Sequence, residues 1–175
     1  MEKIIAITLL MLPVISSSCQ SSDKTTPRNS EVRLAKENEP GKKFTLDITV
    51  LDLDSRQPIN DAEVFAYQTN HKGDYEHDSK GVARIHGTAF SNAKGGIRFY
   101  TIYPRGYNNS NTGEHIHFTV KANGYKKENT ELLFAEYYEK RYDHNHPVPH
   151  KVYLQSLEEK NSELYGKALI YMKKP

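Results

Sequence analysis

The chain has 175 residues, and its 24 Lys and Arg nearly balance 22 Asp and Glu, for a formal charge of +2. That length accommodates one domain with appendages rather than two full domains, and near-neutrality without a basic block excludes nucleic acid as the main partner. A single cysteine, Cys19, excludes an intramolecular disulfide, a Cys-based zinc site and a thioredoxin-type pair. The aromatic content is twelve Tyr, six Phe and no Trp, an excess of phenol oxygens.

Residues 1–18 open with Met1-Glu2-Lys3, continue as an apolar run from Ile4 to Ile15 and end in Ser16-Ser17-Ser18. A lysine, a short apolar run and small residues before a break read as a secretory signal peptide, and the run is too short and poorly flanked to span a bilayer. Cys19 follows directly. This arrangement resembles the lipobox of bacterial lipoproteins, in which the new N-terminal cysteine is acylated, although Ser16 stands where the lipobox prefers Leu. The alternative is ordinary signal cleavage nearby with a free thiol at Cys19. Acyl chains on Cys19 would anchor an exported protein to the membrane without crossing it. Residues 20–43 are rich in Ser, Thr, Asn, Lys, Glu and Pro and nearly devoid of apolar side chains. Such a stretch cannot bury enough surface to offset its ordering entropy. Residues 19–43 are therefore expected to form a lipidated, disordered tether, with the domain beginning at residue 44.

Within 44–175, Phe44, Leu46, Ile48 and Val50 alternate with Thr45, Asp47 and Thr49, the period-two pattern of a half-buried strand. The phase breaks at Val50-Leu51, which predicts a bulge there. Asp54-Ser55-Arg56-Gln57-Pro58 reads as a turn, and Val64, Phe65 and Tyr67 belong to the next strand. Further strands are predicted at 82–86, 96–102, 114–120, 130–134, 150–154 and 167–172, with 131–141 ambiguous. Many short strands punctuated by Gly, Asn and Pro predict an all-β fold, a sandwich of mostly antiparallel strands.

The segment Gly113-Glu114-His115-Ile116-His117-Phe118-Thr119-Val120 carries chemistry. Residues i and i+2 of a strand share a face, so His115 and His117 can present both imidazoles to one point while Ile116 and Phe118 face a core. Two such histidines on a strand are by themselves more often structural than metal-binding. A second pair, His144 and His146, lies in a Pro-rich loop and reads as solvated.

Three further segments set this pair in context. They are Gly73-Asp74-Tyr75-Glu76-His77, Gly96 through Tyr107, and Thr130-Glu131-Leu132-Leu133-Phe134. In order, and spread over nearly all of 44–175, these segments resemble the signatures of the intradiol ring-cleavage dioxygenases of the catechol and protocatechuate type: "G-R-Y-x-H", "G-x-Y-x-F-x-T-I-x-P-G-x-Y", "H-I-H-F" and "T-Q-L-Y-F". The resemblance implies a mononuclear Fe(III) held by the phenolates of Tyr75 and Tyr107 and the imidazoles of His115 and His117. It also implies that a small aromatic diol displaces Tyr107, and that O2 then cleaves the ring between the hydroxylated carbons to a muconate-type diacid. An anionic phenolate oxygen suits a hard ferric ion, whose charge overrides the ordinary Tyr pKa near 10. Taken alone, Tyr75 reads equally as a surface residue of a polar turn and Tyr107 as a corner residue. His71, His77 and His86 read as surface or neighbouring residues.

Two positions depart from the family pattern. Thr112 stands where an arginine usually precedes "H-I-H", and Glu131 stands where the last motif has glutamine. Losing a cation and gaining an anion would weaken stabilisation of negative charge at the site. Arg105, two residues before Tyr107, is a candidate replacement for the missing cation. No segment resembles the helical N-terminal dimerisation element of the catechol-type enzymes. The departures keep an alternative open: a non-catalytic β-sandwich module for binding or scaffolding at the cell surface. The turn and strand around Pro58–Val64 also resemble transthyretin-like domains, which lack the Tyr/Tyr/His/His set. A zinc hydrolase built on His115 and His117 ranks below both, for want of a third ligand at motif spacing.

Overall fold

The structure, a computed structural model, describes residues 28–108, 111–134 and 151–175. The expected signal peptide, Cys19, His144 and His146 lie outside the described residues.

Period-two alternation builds the framework. Strand β2 (Lys43–Asp52) buries Phe44, Leu46, Ile48 and Val50 and half-exposes the residues between them. The other strands are β1 (Glu31–Arg33), β3 (Glu63–Gln68), β4 (Ile85–Phe90), β5 (Gly96–Ile102), β6 (His115–Lys121), β7 (Glu128–Leu133), β8 (Val152–Lys160) and β9 (Glu163–Met172). They form a five-stranded sheet in the order β1-β5-β2-β9-β8 and a four-stranded sheet in the order β4-β3-β6-β7. The inward faces of the two sheets meet in one apolar core. Phe44, Leu46, Ile48 and Phe99 come from the first sheet, and Val64, Ala66, Ile116, Phe118 and Leu132 from the second. The fold is thus the expected all-β sandwich. Among the described strands pairing is mostly antiparallel, while β1 with β5 and β2 with β9 run parallel.

Several expectations are corrected. Residues from Arg28 to Lys42, read as part of the tether, belong to the fold. Strand β1 pairs with β5, and Leu34 and Ala35 are buried in the core. The side chains of Val32 and Leu34 lie over Gly87 of β4, in space that a Cβ there would take. Three apolar residues among many polar ones suffice because the edge of a preformed sheet supplies the hydrogen-bond partners. No bulge occurs at Val50-Leu51: β2 pairs with β9 in unbroken register from Phe44 to Asp52. The inward phase is kept, but Asp52 fills the last slot, so polarity hid a buried position. The bulge lies instead in β8, between Leu154 and Ser156. The strand expected at 82–86 is β4, shifted to begin at Ile85. Strands β8 and β9 extend toward each other as one hairpin, closed by Asn161 and Ser162 at φ 52° and 64°. Two adjacent left-handed residues make the turn whose twist matches paired strands.

Asp52 is 3% exposed and fully engaged. It accepts from the amides of Ser55 (2.7 Å) and Asp54 (3.1 Å), from Ser55 Oγ (2.9 Å) and from Tyr125 Oη (2.9 Å), and it pairs with Lys174 Nζ at 3.0 Å. The Ser55 amide above all, then Lys174, holds its carboxyl far below the ordinary carboxylate range. A carboxyl with a lowered folded pKa stabilises the fold above its unfolded value near 3.9 and loses that contribution as pH falls. Asp52→Asn should therefore lower stability by about 1–3 kcal/mol at neutral pH. It should also flatten the loss of stability below about pH 4. Urea unfolding of both proteins across pH 2.5–7 measures both effects; equal acid sensitivity would refute this role for Asp52.

Candidate metal centre

Strand β6 lies between β3 and β7, and its alternation sends Ile116 and Phe118 into the core. His115 and His117 therefore share the opposite face, as expected from the sequence. Loops cover the start of the strand, leaving His115 only 2% exposed and His117 half-buried.

Three loops stack backbone to backbone above His115. Gly73 has φ 83°, and a Cβ there would collide with the carbonyl oxygen of Gly106. A Cβ on Gly106 would in turn collide with the carbonyl oxygen of Thr112. Glycine is needed at Gly73 both for its left-handed backbone and for this approach. The stacking places Tyr75, Tyr107 and His115, each just downstream of its loop's contact, around one point. The end of β3 fastens the Tyr107 loop: Thr69 Oγ1 donates to the carbonyl of Arg105 at 2.5 Å, and Gln68 Nε2 donates to that of Ile102 at 2.8 Å.

Four donor atoms converge there. Tyr107 Oη lies 2.7 Å from Tyr75 Oη, 3.0 Å from His115 Nε2 and 3.5 Å from His117 Nε2. Tyr75 Oη lies 3.4 Å from His115 Nε2. His115 Nδ1 is 2.7 Å from the carbonyl of Gly113. A carbonyl only accepts, so Nδ1 carries the proton and the Nε2 lone pair faces the phenols. Burial, followed by the hydrogen bond to Tyr107, pushes the Tyr75 phenol well above its ordinary pKa. Burial, with the neighbouring His115, pushes His117 down to about 4. Without a cation, then, the Tyr75 phenol and the His117 imidazole are neutral at pH 7. A cation at the point of convergence would reverse the direction for Tyr75, because metal-bound acids lose their protons readily. Among the described residues no group of three or more His, Cys, Asp or Glu side chains gathers as metal ligands. The donors here are two phenols and two imidazoles, a set that fits a hard trivalent ion.

Of the other neighbours, Glu131 is the position the last motif singles out, and Tyr67 escaped sequence reasoning. Tyr67 on β3 stands opposite His117, stacks on it with centroids 4.7 Å apart and planes 14° apart, and lies 5.8 Å from the Tyr75 ring. Burial raises its pKa, with further contributions from Tyr107 and Glu131. Glu131 on β7 stands opposite His117 on the other side, with Oε2 3.7 Å from Nδ1. Cross-strand register is the signal that would have found Tyr67. These side chains flank a cleft of about 320 Å³ lined also by Thr119, Asn129 and Thr130. A larger cavity, about 430 Å³, lies on the outer face of the five-stranded sheet near Tyr100 and Tyr165 and includes none of the four donors. The site is therefore placed by converging chemistry rather than by cavity size. Arg105 is exposed, and its carbonyl rather than its guanidinium ties it to Thr69. His77 lies against the Tyr75 ring at 5.2 Å, while the His86 ring bonds the carbonyl of Ala83.

A family model described as a dioxygenase matches residues 17–143. No curated protein sequence matches the chain significantly. Among solved structures, the chain is similar to the dioxygenase domain of a dioxygenase–carbohydrate-binding fusion from Streptomyces sp. SirexAA-E, with a TM-score of 0.63 and 20% identity over 89% of this chain and 97% of that one. It is also similar to the 3-chlorocatechol 1,2-dioxygenase of Rhodococcus opacus 1CP, with a TM-score of 0.62 and 16% identity over 82% of this chain and 64% of that enzyme. A third similar structure is an intradiol ring-cleavage dioxygenase from Tetranychus urticae, with a TM-score of 0.60 and 17% identity over 85% of this chain and 89% of that one. The chain spans just under two thirds of the chlorocatechol enzyme's length. At these identities the structural likeness speaks for the fold, while the family model covers well over half of the sequence, including Tyr75, Tyr107, His115 and His117. The chain belongs to the intradiol ring-cleavage dioxygenase family.

Proposed function

We propose that the protein is a non-haem ferric dioxygenase that opens the ring of a small catechol-type diol with O2 to a muconate-type diacid. The observation that carries this reading is the convergence of Tyr75 Oη, Tyr107 Oη, His115 Nε2 and His117 Nε2. These four residues would hold Fe(III). When bound, that ion acts as a Lewis acid that polarises the diol for attack by O2.

The chain's own residues prepare the site. The Gly113 carbonyl fixes the His115 tautomer, so Nε2 offers its lone pair without reorganisation. Tyr67 walls one flank and holds the His117 ring by stacking. Tyr107 Oη touches the other three donor atoms and lies in a loop, and it is placed to accept a proton from the incoming diol as it gives up its position. Arg105, on the same loop, is a candidate for steering the anionic diol. The cleft beside Tyr67 and His117 offers room for a ring.

Purified protein reconstituted with Fe(III) should be coloured by phenolate-to-iron charge transfer and should consume O2 with catechol. Tyr75→Phe should shift or abolish the visible band. Tyr107→Phe should also shift it and lower turnover by about 10²–10⁴-fold. A pure, iron-replete, colourless protein would defeat the metal assignment. A coloured protein inert toward a panel of catechols would favour the second reading, a non-catalytic binding module. Glu131 supports that second reading by placing a carboxylate beside His117.

We also propose export and anchoring through a lipid on Cys19. Cys19→Ala should move the protein from the membrane to the soluble fraction without changing its colour; unchanged fractionation would remove the anchor.

A further inference from the structure

Tyr75 sits in the long connection 69–84 between β3 and β4, where no ladder fixes the backbone. Two side chains organise the connection's ends. Asn70 Oδ1 accepts from the amides of Lys72 and Asp74, and Asp78 Oδ1 accepts from those of Lys80 and Val82. Between these turns, the carbonyl of Tyr75 accepts from the amide of Arg84 at 2.9 Å. The next residue, Glu76, has φ 47°, a left-handed backbone that non-glycine residues rarely adopt.

Arg84 grips both sides of this segment. Its two terminal nitrogens donate to the two oxygens of Glu39 at 2.7 Å each, and its Nε donates to the carboxylate of Glu76. The Glu39 side chain is only 5% exposed and precedes β2, so it belongs to the body of the sandwich. The Arg84 hydrogen bond keeps Glu39 ionised despite its burial. A bidentate guanidinium pair fixes orientation as well as distance. Such a part-buried pair adds little net stability, which makes positioning its more natural role.

We propose that Arg84, braced by Glu39, is the positioning residue for Tyr75: it holds the Tyr75–Glu76 backbone in the conformation that aims the phenol at Tyr107 and His115. The inference rests on Tyr75 belonging to the site proposed above. It also gives residues 34–42 a part in supporting that site.

The test compares Arg84→Met, Arg84→Lys and Glu39→Gln with the parent. In the metal-free protein, nuclear Overhauser contacts between the Tyr75 and Tyr107 rings report the aim of the phenol, and amide shifts of β3 and β6 report the sandwich. Arg84→Met should lose the ring contacts while the strand amides stay in place, and ferric affinity should fall about 10–100-fold with a shifted visible band. Arg84→Lys should not rescue them, because one ammonium cannot replace the fork. Glu76→Gly should keep the ring contacts better than Glu76→Ala, since both lose the carboxylate and only glycine favours φ 47°. Ring contacts and ferric affinity that survive in both Arg84→Met and Glu39→Gln would overturn the proposal. Should Arg84→Met fail to fold, Glu39→Gln decides by the same contacts. A parent protein that takes up no ferric ion would end the proposed function, and the metal-free ring contacts would still decide the role of Arg84.

Discussion

The alternation of β6 is the constraint on which the site depends. Four residues of one strand do two jobs because successive side chains face opposite ways. Ile116 and Phe118 are locked in the core, and a slip of one residue would turn both imidazoles into the core and both apolar groups out of it. The pairing with β3 and β7 on either side prevents that slip. The histidines are therefore held by the hydrophobic core itself rather than by local contacts alone. The same register carries Tyr67 and Glu131 to the two flanks of His117, so one row across the four-stranded sheet combines this imidazole, an aromatic wall and a carboxylate.

The two tyrosines arrive by a different principle. Neither is on a strand, and a loop residue is only as well placed as the contacts that hold its loop. The close backbone approach at Gly73 and Gly106 supplies one restraint, and the clasp of Arg84 on Glu39 and Glu76 supplies another. Glycine and an ion pair act on different degrees of freedom. The first sets how near the loops come, and the second sets the direction in which the chain leaves Tyr75. A phenol oxygen 2.7 Å from its partner is sensitive to both.

What was legible in the sequence follows from these differences. Strands with clear alternation, such as β2 as far as Val50 and β6, could be read directly, and the histidines with them, because period two is a local property. The tyrosines were reached through ordered motifs, since a Tyr in a polar turn carries no local sign of its destination. Residues whose role comes from long-range pairing were not legible. Strand β1 has no apolar run of its own and exists because β5 offers it an edge. Asp52 occupies an inward position that only its partners Ser55, Tyr125 and Lys174 make tolerable. Tyr67 gains meaning only once the register is known, and the register adds to the motif reading of Glu131 its place opposite His117. The Glu39–Arg84 pair spans 45 positions of sequence, and no spacing rule connects its members.

The charge distribution around the four donors gives the arrangement its direction. Tyr75 is kept protonated by its burial and its phenol neighbour, and His117 is kept neutral by its burial and by His115. Such a shell is held in a poor electrostatic state: low-dielectric surroundings, crowded polar atoms and no internal cation to pair with a phenolate. The same burial that penalises the phenolate strengthens its attraction to any cation that enters. Glu131 adds a nearby negative charge that raises Tyr75 further when the site is empty and would strengthen the hold on a trivalent ion when it is filled. If the proposed ferric ion binds here, a glutamate beside His117 would favour its retention over stabilisation of a negatively charged reacting group.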